Sequence, residues 1–112
     1  MSFAPFDIVV VPFPYSDRLA EKRRPALVVS AAVLGDELDR LWVAMITTDR
    51  GRRLIGDTAI TDLTVAGLPA ESLVRASKIA TIEVDRVLRR AGRLSDQDLA
   101  AASAALRTCA GF

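Results

Sequence analysis

The sequence contains no histidine. That absence removes the commonest general acid/base, the Ser-His and Cys-His nucleophile pairs, and the commonest zinc ligand. Any chemistry must then be carried by Arg, Lys, Asp, Glu, Ser, Thr or Tyr. Cysteine is almost as scarce. Cys109 stands alone, so no disulfide forms within the chain and no cysteine-based metal set exists. A reducing cytoplasm suits such a composition. Net charge is low as well: Lys and Arg number 15 against 14 acidic residues, a formal +1. This balance excludes a polybasic polymer binder and leaves local patches as the way to attract nucleic acid. Long apolar runs are also missing. The opening "MSFAPFDIVVVPFP" has no basic start and is interrupted by Asp7, Pro5 and Pro12, so it fits neither a signal peptide nor a membrane span. Linker composition, repeats and low-complexity tracts are absent, and one domain over residues 1–112 is expected.

What is present describes a globular chain: 51% hydrophobic and 26% charged residues. Residues 6–14 are rich in β-branched and aromatic side chains and close on Pro12 and Pro14, which predicts a strand ending at an edge or bulge. A polar loop follows over residues 15–24. Pro25 crowds the backbone of Arg24 out of the helical region, so a second strand, "RPALVVS", begins at Arg24. In "LWVAMITT" (41–48), Leu41, Val43 and Met45 alternate with Trp42, Ala44 and Ile46, as in a strand buried on both faces. A shorter strand is expected over 56–62, and another over 72–82, where Leu73, Arg75, Ser77 and Ile79 alternate with Val74, Ala76, Lys78 and Ala80. "EVDRV" suggests a helical turn and "LRRAGRL" a last strand, with a two-turn helix over "TIEVDRVLRR" as the alternative. The C-terminal segment predicts a helix with Ser95 as N-cap, Asp98 at the third position, Leu94 stapled to Leu99, and Gly111 as the left-handed stop. Its apolar stripe is Leu99, Ala102, Leu106 and Cys109, which makes Cys109 a small buried hydrophobe. Trp42 reads as core or as a dimer contact. Short strands closed by one helix point to a mainly β fold, a small and strongly bent barrel.

In the order "VVVPFPYSD", "KRRPALVVS", "WVAMITTD", "DTAITDLTVAGLPAESLVRASKIATI" and "RAGRLSDQDL", these segments resemble the MazF/PemK family of toxins over roughly residues 5–106. The resemblance implies an SH3-like barrel of the MazF/CcdB type with a C-terminal helix. It also implies a sequence-specific endoribonuclease of a type II toxin–antitoxin system, an mRNA interferase that is homodimeric, cytoplasmic and silenced by an acidic antitoxin. Its substrate is single-stranded RNA, cut without metal or other cofactor by attack of the 2′-hydroxyl, which leaves a cyclic phosphate and a 5′-hydroxyl. The alternative is a non-catalytic or gyrase-directed binding protein on the same barrel.

By the same resemblance, Arg24 of the Arg-Pro pair matches the family's catalytic arginine, and Thr47 matches its catalytic hydroxyl. A guanidinium fork can hold two non-bridging phosphate oxygens as negative charge develops, which a lysine cannot reproduce. Asp17, Arg18, Lys22, Arg23, Thr48, Arg75, Ser77 and Lys78 are the candidate RNA contacts. Lys22 and Arg23 fit a solvated loop equally well, and Ser77 and Lys78 fit a polar outward face. Two positions depart from the family pattern: Glu21 is out of register for the loop glutamate, and Ala80 stands where an arginine is usual.

Overall fold

The computed structural model describes residues 2–12, 23–31 and 39–111. Six strands form one antiparallel sheet: β1 (Asp7–Pro12), β2 (Arg23–Val28), β3 (Arg40–Thr48), β4 (Asp57–Ala59), β5 (Ser72–Glu83) and β6 (Arg89–Arg93). Their spatial order is β4-β5-β3-β2-β1-β6. A one-turn helix, α1 (Leu63–Ala66), follows β4, and a longer helix, α2 (Asp96–Ala110), ends the fold. "VDR" makes a 3-10 turn before β6, so the turn-and-strand reading of that region holds and the two-turn helix does not form. Pro12 ends β1 as the last pair of its ladder with β2, opposite Arg23.

Alternation along the strands sorts apolar side chains to two faces. Val9 and Val11 of β1, Ala26 and Val28 of β2, and Leu41 and Val43 of β3 join Phe3, Ala80 and Ile82 in one core. Ile8, Leu27, Ala44 and Ile46 join Val74, Leu94 and Ala102 in the other, which α1 and α2 cover. A sheet buried on both faces needs the near-continuous apolar strands that the sequence supplies. Trp42 is the exception, at 50% exposure.

Among the described residues the strand ladder does not close into a barrel. Its edges, β4 and β6, are bridged instead by α1, which packs on β6 where two glycines allow close approach. A Cβ on Gly92 would strike the backbone of Val65 and Ala66, and one on Gly67 would strike that of Ala91. Gly67 also has φ 71°, the left-handed stop of α1.

Two elements differ from the sequence expectation for identifiable reasons. β4 is short because the ladder ends just past Ala59: the Ile60 amide still bonds Ser72 O at 3.0 Å, but the following two amides, Thr61 and Asp62, donate to the Asp98 carboxylate of α2. In β5 the alternation breaks at a bulge. Ala44 faces Ile79 while the adjacent Met45 faces Arg75, leaving Ala76, Ser77 and Lys78 outside the β3 ladder. The Ala76 amide bonds Gly56 O instead at 3.3 Å. Val74 and Ile79 therefore share one core despite their odd spacing.

Helix α2 keeps its expected ends. Ser95 Oγ accepts from the Asp98 amide, and Gly111 terminates the helix at φ 84°. Cys109, however, is exposed. Its sulfur lies against Gly56, beside β4, and lines an open apolar groove with Ala76 and Ile79 instead of entering the closed core. Gly92→Ala should lower the stability of the fold by about 1–3 kcal/mol, the usual range for overpacking, in urea unfolding followed by Trp42 fluorescence.

Candidate functional site

Three strand ends meet at one rim of the sheet. Two residues beyond the Ala26–Met45 pair on their respective strands lie Arg24 and Thr47. On the other side of β3, Thr47 pairs with Leu73 and Thr48 with Ser72, and the ladder runs on through the Asp49 amide, which bonds Glu71 O at 3.0 Å. Around this rim opens a cleft of about 340 Å³. Arg23, Arg24 and Pro25 line it from β2, Ile46, Thr47 and Thr48 from β3, and Leu68, Pro69, Ala70 and Ser72 from the segment after α1. Arg24 shares the sheet face of its β1 partner Val11. Pro25 fixes the backbone after it, so the guanidinium hangs from a rigid strand end.

The far wall is built by a short chain of bonds. Asp62 Oδ1 accepts from the Val65 amide and starts α1; Gly67 stops it; and the Leu68 amide returns to Leu63 O at 3.0 Å. Leu68, Pro69 and Ala70 are thereby presented to the cleft. Ser72 Oγ donates to Ala70 O at 2.8 Å and pins the other end. Beside the rim, Asp49 Oδ1 accepts from the Gly51 amide at 3.0 Å and Asp49 Oδ2 pairs with Arg53 at 2.9 Å. The Gly51 bond first, and then Arg53, hold the Asp49 carboxyl below its usual value.

Charge is distributed unevenly over the arginines. Arg53, Arg75 and Arg90 are paired with Asp49, Asp57 and Asp7. Among the described residues, neither Arg23 nor Arg24 has a carboxylate partner. A cleft bearing two guanidinia, two threonine hydroxyls and the apolar walls of Ile46, Leu68 and Pro69 suits a phosphate joined to a less polar group.

Of the ten residues singled out from the sequence, the structure gathers Arg23, Arg24, Thr47 and Thr48 in this cleft. Arg75 lies elsewhere, bonded to Asp57 through Nε at 3.1 Å and a terminal nitrogen at 3.0 Å. Ser77 and Lys78 are exposed on the β5 bulge, Ser77 beside a separate apolar groove that Trp42 and Leu106 also line. Asp17, Arg18 and Lys22 lie outside the described residues. Ala80 is 7% exposed, in the core opposite Val43. Sequence reasoning missed the wall residues Leu68, Pro69, Ala70 and Ser72, whose "GLPAES" context signals a loop but no function. No group of three or more acidic or cysteine residues placed to hold a metal occurs among the described residues.

Arg75 ties β4 to β5 through Asp57. Burial alone would raise the Asp57 carboxyl, but bonds from Arg75 and the Leu54 amide, with the charges of Arg75 and Arg53, outweigh it and hold it low. A depressed carboxylate stabilises the fold above its unfolded value of about 3.9, and that contribution is lost as pH falls through the lower folded value. Arg75→Ala should therefore cost about 3 kcal/mol at pH 7, with the gap to wild type narrowing at pH 3 in urea titrations.

Residues 4–109 match the family model described as PemK-like, MazF-like toxin of type II toxin-antitoxin system. No curated protein matches the chain by sequence. Several solved structures share its fold. An endoribonuclease in complex with its cognate antitoxin, from Mycobacterial species, is 19% identical with a TM-score of 0.76, covering 98% of this chain and 96% of the other. The Mycobacterium tuberculosis toxin MazF-mt6 is 25% identical with a TM-score of 0.74, covering 95% and 97%. MazF from Deinococcus radiodurans is 17% identical with a TM-score of 0.73, covering 100% and 99%.

Proposed function

Because the chain belongs to the PemK-like, MazF-like toxins of type II toxin–antitoxin systems, we propose that it is an endoribonuclease that cuts single-stranded RNA at a short sequence in the cleft at the sheet rim. The observation that carries this reading is Arg24, a cation on a rigid strand end, without a carboxylate partner among the described residues and lining one cleft with Thr47. The 2′-hydroxyl oxygen attacks the adjacent phosphorus while the bond to the leaving 5′-oxygen breaks. A 2′,3′-cyclic phosphate and a 5′-hydroxyl result. Arg24 forks onto the non-bridging oxygens as their charge grows, and the Thr47 hydroxyl donates to the same group. No metal is required. Arg23 and Thr48 supply neighbouring RNA contacts, with Ser77 and Lys78 on the bulge as a more distant set. The protein works in the cytoplasm as a homodimer, and an acidic antitoxin silences it, as the cognate antitoxin bound to the Mycobacterial relative suggests.

A rival reading draws on Ala80. With no cation at that core position, a non-catalytic or gyrase-directed binding protein is the alternative. Variant kinetics separate the two. Arg24→Ala should lower the rate on single-stranded RNA by about a thousandfold, in the range seen when one charge-stabilising donor is removed. Arg24→Lys should recover little of it, because the fork is lost, and Thr47→Val should lose less than Arg24→Ala. Equal cleavage by wild type and Arg24→Ala would remove Arg24 from the mechanism; no cleavage by folded, antitoxin-free wild type would favour the binder.

A further inference from the structure

The most buried charged residue among the described residues lies away from the cleft. Asp98, in the first turn of α2, is 2% exposed. Its own helix is already capped, since Ser95 Oγ receives the Asp98 amide at 3.2 Å. The carboxylate instead takes three donors from one short segment. Asp98 Oδ1 accepts from Thr61 Oγ1 at 2.7 Å, and Oδ2 accepts from the Thr61 amide at 2.9 Å and the Asp62 amide at 3.2 Å. Burying a carboxylate is strongly unfavourable unless such donors compensate it. Burial alone would raise the Asp98 carboxyl, but bonds from the Thr61 side chain, the Asp62 and Thr61 amides and Ser95 outweigh it and keep it ionised.

What that segment does next gives the contact its meaning. Asp62, held at its amide by Asp98, starts α1 through Val65 and accepts the Ala66 amide at its carbonyl. One turn later, Gly67 releases the chain as Leu68, Pro69 and Ala70, the wall facing Arg24 and Thr47. A helix of one turn has little stability of its own. Its C-terminal end is seated on β6 at Gly67 and Gly92, and its N-terminal end is held through Asp62 by Asp98.

We propose that Asp98 is a positioning residue for the RNA cleft: it orients the Leu68–Pro69–Ala70 wall through Thr61, Asp62 and α1 without touching the substrate. This rests on the endoribonuclease reading for its activity arm, but not for its structural arm. Displacing a wall of a reaction cleft by about an ångström can cost on the order of a hundredfold in rate. The near-isosteric Asp98→Asn keeps the volume and one acceptor but removes the charge and turns an amide N–H₂ toward either the two backbone amides or the Thr61 hydroxyl.

The test measures three quantities on Asp98→Asn, Thr61→Val and a helix control, Thr108→Ala, whose hydroxyl bonds only within α2 at Ala104 O. These are folded fraction by Trp42 fluorescence, backbone amide exchange over residues 61–70, and kcat and KM on single-stranded RNA. Expected is a folded Asp98→Asn protein with faster exchange at 61–70 and kcat/KM reduced roughly tenfold to a hundredfold. Thr61→Val should change in the same direction by less, and Thr108→Ala should match wild type. Should Asp98→Asn fail to fold, Thr61→Val alone decides the matter. Wild-type exchange at 61–70 in the folded variants would overturn the proposal even if the wild type cut no RNA at all. Wild-type kcat/KM per folded molecule, with wild type active, would overturn it equally.

Discussion

The register of the β3–β5 ladder is the constraint on which the site depends. It runs from Arg40 opposite Glu83 to Thr48 opposite Ser72, with β2 paired to the other edge of β3. Because the strands are antiparallel, the start of β2, the end of β3 and the start of β5 come to one rim. Arg24, Thr47 and Ser72 are distant in sequence and adjacent there for that reason alone. A shift of one residue would move Thr47 to the opposite face and separate it from Arg24. The two cores hold the register, since β1, β2, β3 and β5 each carry apolar side chains to both faces and a slip would disrupt both at once.

Electrostatic assignment completes what the backbone begins. Asp7, Asp49 and Asp57 occupy Arg90, Arg53 and Arg75, and Asp98 binds neutral donors. These pairs brace the N-terminal segment, the loop after β3, the β4 edge and the α2 junction. With these carboxylates placed elsewhere, the rim arginines have no carboxylate partner among the described residues. On the proposed endoribonuclease reading, that local cation takes an RNA phosphate as its counterpart.

Much of this was legible in the sequence, and what was missed has physical causes. The Arg-Pro pair and the β-branched runs located β1, β2 and β3 because propensity and burial agree there. Ser95 and Gly111 marked the ends of α2 because caps act locally. The β5 bulge was hidden: "SLVRASKIATI" alternates without interruption, and only pairing to β3 on one side and β4 on the other forces Ala76, Ser77 and Lys78 out of register. The same is true of Arg75, whose partner Asp57 is fixed by that pairing. Truncation of β4 and the cleft wall both follow from Asp98 reaching across 37 positions to Thr61, a contact that no local pattern announces. Cys109 had the right spacing for a buried stripe, but spacing does not reveal that the stripe there borders an open groove.

The central claim is that the rim cleft directs a 2′-hydroxyl against its own phosphate. Its most direct test is the chemistry of the RNA ends left by the purified, antitoxin-free protein on a long single-stranded RNA in EDTA. The account predicts 5′-hydroxyl and 2′,3′-cyclic phosphate ends recurring at one short sequence; 5′-phosphate ends, or cleavage that disappears with the chelator, would contradict it.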